Sequence, residues 1–410
     1  MLMVRIVSKL WLALVWSTEL HGTGERNRPA VTIDILSDDN FQEIFAFCLR
    51  TVLDPYWFLH AWEHMKAWQI LVHVCRRWRH IIYASPLYFN LQLYCEWQTP
   101  FTKLGRWPEF PLIVRYGIPG DEDDLVAVLK HRDRLHHVDL NIRSPHRGEV
   151  FKLMQVPFPA LTHLKLEAPE DVEDPNDVLV LPDGILGGSA PCLQDLDINF
   201  ISIRGLPKLL LSAPNLVSLQ LGFTPPTYSH GYISPEMMVE GLAVLTRLRT
   251  LCLDYPPPIP LDKQRRKRPN PPLLLPALTR FDFVGDCEYL EDLLARIDTP
   301  QILNFKILYA GEEEIQTSQL LQFIGRTENL KHAQFKRAKV IFQFPWPHIT
   351  LDLPQSECRE TRVVLSTPSQ DPFPQIKSMV HLLGQLIAML SNVSHLSVSR
   401  HDIIGGGRYF

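Results

Sequence analysis

Leu161-Thr162-His163-Leu164-Lys165-Leu166, Leu193-Gln194-Asp195-Leu196-Asp197-Ile198, Leu216-Val217-Ser218-Leu219-Gln220-Leu221 and Leu248-Arg249-Thr250-Leu251-Cys252-Leu253 share one pattern. An apolar residue is followed by two others, a second apolar residue, one other and a third. The pattern is also present at Leu135-Val138-Leu140, Leu278-Phe281-Phe283, Ile302-Phe305-Ile307, Leu330-Ala333-Phe335 and Val393-Leu396-Val398. Alternation at the second and third apolar positions predicts a short strand with one buried face. Successive first positions lie 23–32 residues apart as far as Leu330, and the next step is 63. One repeat between residues 340 and 370 is therefore expected to be degenerate or replaced by a loop. Pro159, Pro191, Pro214, Pro276 and Pro300 stand just ahead of most instances.

Between the strands, the sequence predicts helical segments over Asp124 to Lys130, Leu206 to Leu211, Pro235 to Leu245, Tyr289 to Ile297, Ser318 to Gly325 and Ile376 to Leu390. A strand and a helix every 20–30 residues form the signature of leucine-rich repeats, here irregular because the usual Asn or Cys at the ninth position is missing. One repeat cannot bury its own apolar face, so stacking is expected to give an α/β solenoid with parallel strands on the concave side and helices outside.

Period-2 alternation also fixes which side chains face away from that core. They include His137, Asp139, Asn141, His163, Lys165, Glu167, Asp195, Asp197, Asn199, Gln220, Asp254, Arg280, Asp282, Lys306 and Lys336. His163, Lys165, Asp195, Asp197, Gln220, Asp254, Arg280, Asp282, Lys306 and Lys336 are the candidate contacts for a protein target. Their mixed sign argues against nucleic acid, which needs a consistently basic face. The alternative is that exposed strand positions are simply polar. The basic run Lys263 to Arg268 reads as an import signal, an anionic-partner patch or a solvated Pro-rich loop.

Composition agrees with many short elements. There are 34 prolines in 410 residues, with 46% hydrophobic and 21% charged residues. The net charge of −4 excludes a global basic field. Seven cysteines at irregular spacing offer neither a disulfide framework nor a zinc motif, and point to a reducing compartment, cytoplasm or nucleus. His60 and His64 have helix-compatible zinc spacing but no third ligand close in sequence. No nucleotide loop or nucleophile elbow is present, so no catalytic activity, metal or cofactor is expected. No stretch reaches the ~20 apolar residues of a membrane span.

The first 95 residues differ in character. Met1 to Ser17 runs from basic to apolar and resembles a signal peptide, but no small-x-small site follows. Residues 1–30 are read as a disordered leader, with a true signal or a misassigned start as alternatives. Phe41, Ile44, Phe45, Cys48 and Leu49 then form one helical stripe, capped by Asp38 or Asp39. A second helix is expected near Lys66 to Tyr83, with Trp68, Leu71, Val72, Cys75, Trp78, Arg79 and Ile82 on one face. The unit spanning 31–95 is too small for a comfortable independent core and is expected to lean on a partner.

Ile35-Leu36-Ser37-Asp38-Asp39 and Phe41-Gln42-Glu43-Ile44-Phe45 resemble the opening of an F-box, with Ser37 in place of the usual Pro. Leu71-Val72-His73-Val74-Cys75-Arg76-Arg77-Trp78-Arg79 is similar to its second half. An F-box (31–95) followed by irregular leucine-rich repeats (96–410) resembles an expanded fungal family of F-box proteins. The resemblance implies a substrate receptor of an SCF-type cullin–RING ubiquitin ligase. Ile35, Leu36, Phe41, Ile44, Phe45, Leu71, Val74, Cys75 and Trp78 would contact a Skp-family adaptor, and through it a cullin. Two alternatives stand beside it: a repeat scaffold whose F-box does not engage the adaptor, and a secreted repeat protein.

Overall fold

The structure is a computed structural model of the chain. It describes residues 36–51, 68, 71–85, 89, 91–96, 108–116, 122–142, 147–169, 179–203, 206–222, 233–254, 271–309, 318–331, 337–343, 348–352, 362–366, 384 and 395–401. The leader 1–30, Ile35, His60, His64, the run Lys263 to Arg268, Lys336 and all but Gly384 of the expected helix over 376–390 lie outside the described residues. The chain divides into two compact units, 1–113 and 114–410. The expected boundary at 95/96 falls inside the first.

In the first unit, helix α1 (Asp38–Thr51) starts on Ser37. Its Oγ accepts from Asn40 N at 3.2 Å, so Ser37 caps the helix rather than Asp38 or Asp39. Asp38 instead accepts from Arg77 Nη2 at 2.8 Å, and the same guanidinium reaches the Leu36 carbonyl at 2.6 Å. Helix α2 (Arg76–Ala84) is shorter than the expected helix from Lys66, because the chain turns at His73 and Val74. Cys75 is extended (φ −154°, ψ 172°) and caps α2 through Sγ, 3.5 Å from Trp78 N. Two β-branched valines, Val72 and Val74, weaken helix propensity across the break. Strand β1 (Leu93–Glu96) follows. The core is aromatic: Phe45 and Trp78 rings lie 4.8 Å apart, and Trp68 meets Phe110 edge-on at 5.6 Å.

Strand β2 (Leu112–Tyr116) and helix α3 (Glu122–Leu129) precede the repeats. These run β3 (Leu135–Asn141), α4 (Arg147–Leu153), β4 (His163–Glu167), β5 (Asp195–Asn199), α5 (Leu206–Leu211), β6 (Ser218–Gly222), α6 (Pro235–Leu242) and β7 (Thr250–Asp254). They continue with β8 (Leu273–Leu274), β9 (Arg280–Gly285), α7 (Cys287–Arg296), β10 (Ile297–Asp298), β11 (Asn304–Tyr309), α8 (Ser318–Arg326) and α9 (Glu328–Lys331). Four strands close the described chain: β12 (Arg337–Gln343), β13 (His348–Asp352), β14 (Arg362–Ser366) and β15 (His395–His401).

Eight strands, β3-β4-β5-β6-β7-β9-β11-β14 in that order, form a parallel sheet. The described strands form no closed barrel. The apolar triplets from Leu135 to Ile307 are each no more than 2% exposed. Their register aligns Val138, Leu164, Leu196, Leu219, Leu251, Phe281 and Phe305 across the sheet. Helices cover this face where the contacts show it: Phe283 stacks on Tyr289 of α7 at 6.0 Å, and Phe305 on Phe323 of α8 at 5.4 Å.

Of the triplet Leu330-Ala333-Phe335 only Leu330 is described; Ala333 and Phe335 lie outside the described residues. Leu330 is buried in α9, and β12 starts at Arg337. Between 340 and 370, where the spacing leaves room for a degenerate repeat or a loop, the described residues hold strands. β12 pairs antiparallel with β13, β13 antiparallel with β14, and β14 lies parallel beside β11. β15 then pairs parallel with β12.

Polar side chains tie consecutive helices together. Glu291 of α7, 7% exposed, accepts from Ser318 Oγ and from the Gln319 and Leu320 amides at 2.7–2.9 Å, capping α8. Arg296 lies between Glu236 of α6 (2.5 Å) and Asp292 (3.2 Å). Arg326 Nη2 donates to the carbonyls of Leu294 and Ile297, at the C-terminal end of α7. Gly187 sits at φ 65°, and a Cβ there would stand 2.8 Å from Pro157, so this turn requires glycine.

Candidate interaction surfaces

The face of the sheet opposite the buried rows carries three polar rows, set by the same register. The first runs His137, His163, Asp195, Ser218, Thr250, Arg280 and Asn304. The second runs Asp139, Lys165, Asp197, Gln220, Cys252, Asp282 and Lys306. The third begins Asn141, Glu167, Asn199, Gly222, Asp254. From β3 to β11 none of these residues is buried; Gln220, Asp254, Arg280, Asn304 and Lys306 are exposed. Every candidate target contact except Lys336 is thus on this face. Backbone register continues from β11 through β14, β13 and β12. Asn304, Arg362, Asp352 and Arg337 align, as do Lys306, Val364, Thr350 and Lys339.

Local pairing holds many of these side chains. His163 Nε2 lies 2.9 Å from Asp195 Oδ2, and the His137 and His163 rings stack at 5.1 Å. Arg115 meets Asp139 at 3.2 Å, Lys165 meets Glu167 at 3.3 Å, and Arg280 meets Asp282 at 2.6 Å. Burial holds His137 below its usual range, reinforced by His163. Burial raises the Asp197 carboxyl, opposed by Lys165 and by the Asn199 amide donating at 2.7 Å. The Cys252 thiol is pushed up to about 12, first by burial and then by Asp282. A thiol held protonated in this way is a poor nucleophile at neutral pH.

The second surface is on the first unit. Of the candidate adaptor residues, Phe41 and Phe45 are 1% exposed and Leu71 3%, so these three pack inside their own unit. Trp78 is half-buried among Phe41 and Phe45, and Leu36 is half-buried beside Arg77. Ile44 (37%), Val74 (49%) and Cys75 are exposed. Phe47, at 68%, is the most exposed large apolar side chain described, and the sequence reading did not single it out. It lies three residues after Ile44, on the same side of α1. Its position just off the Phe41–Phe45 stripe was the available signal.

No protein-family model matches the chain, and no curated protein matches it. Among the described residues, no helix is long and apolar enough to cross a membrane. Among the described cysteines, Cys75, Cys192 and Cys252 carry free thiols.

Proposed function

We propose that this protein is a substrate receptor of an SCF-type cullin–RING ubiquitin ligase. The first unit is an F-box that docks on a Skp-family adaptor. The second is a leucine-rich-repeat solenoid whose polar strand face receives a protein target. The observation that carries this reading is the apolar exposure of Ile44, Phe47 and Val74 on the unit whose sequence resembles an F-box. Phe41, Phe45 and Leu71 support that surface from inside. The parallel strand–helix repeat supports the solenoid, because each unit buries its apolar triplet only against its neighbours.

The test is co-purification of the full chain with a Skp-family adaptor. Phe47→Asp and Val74→Asp remove exposed apolar surface. Loss of an interface anchor costs about 2 kcal/mol or more, roughly thirtyfold in affinity. Near-UV circular dichroism reports whether the aromatic core around Trp78 persists. Full adaptor binding by a folded Ile44→Asp/Phe47→Asp/Val74→Asp variant would refute the placement. A wild-type chain that does not bind the adaptor would make the protein a repeat scaffold outside the ligase.

A further inference from the structure

The His163 ring is held at both of its nitrogens. Nε2 lies 2.9 Å from Asp195 Oδ2, and Nδ1 lies 2.8 Å from Thr162 Oγ1. An ionised carboxylate only accepts, so Nε2 carries a hydrogen in this arrangement. Thr162 Oγ1 also lies 2.8 Å from the His136 carbonyl. The single hydroxyl proton therefore has two acceptors in reach, Nδ1 and that carbonyl. When Nδ1 is bare, the hydroxyl donates to it. When Nδ1 is protonated, the hydroxyl turns to the His136 carbonyl and accepts from the ring. That carbonyl is bonded in either case, because the Thr162 amide donates to it at 2.9 Å. We infer that Thr162, His163 and Asp195 form a charge switch on the strand face, in which His163 gains or loses one proton while its heavy atoms stay in place.

His137 stacks on the same ring at 5.1 Å. It is held below its usual range, first by burial and then by His163, so the pair takes its first proton on His163. The other charged groups on this part of the face are Arg115 of β2, Asp139 of β3, Lys165 and Glu167 of β4, and Asp197 of β5. Arg115 is paired with Asp139 at 3.2 Å and Lys165 with Glu167 at 3.3 Å, whereas Asp195 is bonded to His163. The switch changes the charge of the face by one proton and leaves its shape alone. A charged partner segment lying across β3–β5 is gated by pH through that single charge.

The gating rests on reading the strand face as the target surface. The switch does not, and its test involves no partner. The full chain, carrying isotope-labelled histidine, is titrated from about pH 5 to about pH 8.5 and read by long-range proton–nitrogen NMR correlation. The signals missing from His163→Gln assign the ring. At the alkaline end His163 is expected as the Nε2–H tautomer with Nδ1 bare, and at the acid end with both nitrogens protonated. Thr162→Val should lower its proton affinity about tenfold, because a hydrogen bond from a charged ring is stronger than one to a neutral ring. Thr162→Ser should titrate as wild type, and Asp195→Asn should also weaken proton uptake. A neutral Nδ1–H tautomer overturns the inference, as does a ring that keeps one charge state throughout, or a Thr162→Val titration identical to wild type. Should Thr162→Val fail to fold, the wild-type tautomer and Asp195→Asn decide the question. Failure of adaptor binding would overturn the ligase reading and leave this one standing.

Discussion

Arg296→Met tests whether the outer helices are held to one another by charge. The Arg296 side chain is 3% exposed and is bonded to Glu236 of the preceding helix and Asp292 of its own. Replacing one member of a buried pair costs about 3–5 kcal/mol, chiefly because the other is left desolvated without a partner. Glu236 and Asp292 retain 21% and 34% exposure, so water reaches both once the guanidinium is gone. The loss should therefore fall near the lower end, about 3 kcal/mol, roughly a hundredfold in the folding equilibrium. Urea denaturation followed by far-UV circular dichroism reads this as a lower midpoint at unchanged slope. Adding Glu236→Met should recover most of the loss, because an apolar pair of similar volume commonly replaces a buried ion pair at little cost. A midpoint equal to wild type in Arg296→Met, or a double variant no more stable than the single one, would refute the reasoning.

Two other outcomes follow from the core and from the histidine stack. Phe305→Ala should destabilise the second unit by about 3–5 kcal/mol, since its ring is 1% exposed and stacked between Phe281 (5.6 Å) and Phe323 (5.4 Å); calorimetry checks this, and a change under 1 kcal/mol contradicts the packing described. His137, held below its usual range by burial, binds a proton more readily unfolded than folded. Stability should therefore fall as pH drops below about 6.5, the unfolded value, and continue to fall until the folded value is passed. His137→Gln should flatten that slope, and an identical pH profile in the variant excludes His137 as its source.

Much of the sheet was legible because period-2 burial is written directly in the triplets. Leu164, Leu196 and Leu219 are buried where alternation puts them, and His163, Asp195 and Ser218 face the other way. The α5, α7 and α8 helices also fall within a few residues of expectation. What was not legible depends on contacts distant in sequence. Nothing local in Arg362-Val363-Val364-Leu365-Ser366 says that it lies beside β11 rather than beside β12. The helix break at Cys75 was missed because Leu71, Val72, Cys75 and Trp78 satisfy a helical stripe whether or not the backbone continues. The apolar surface of the first unit was legible as a composition, but not as a division between inside and outside. Phe45 and Phe47 differ in burial, 1% against 68%, through the packing of α1 on α2.

The strand order has a consequence for synthesis on the ribosome. From β3 to β7, each strand emerges to find the neighbour it will bond already made. β11 likewise finds β9, but its other edge belongs to β14, which begins about fifty residues after β11 ends. At ~5–20 residues per second, that edge waits roughly 3–10 s for its own chain. During this interval it presents unpaired amides and carbonyls to any other strand nearby. The nascent chain is therefore open to mispairing for longest once β11 has been made, rather than while β3 to β7 are being added.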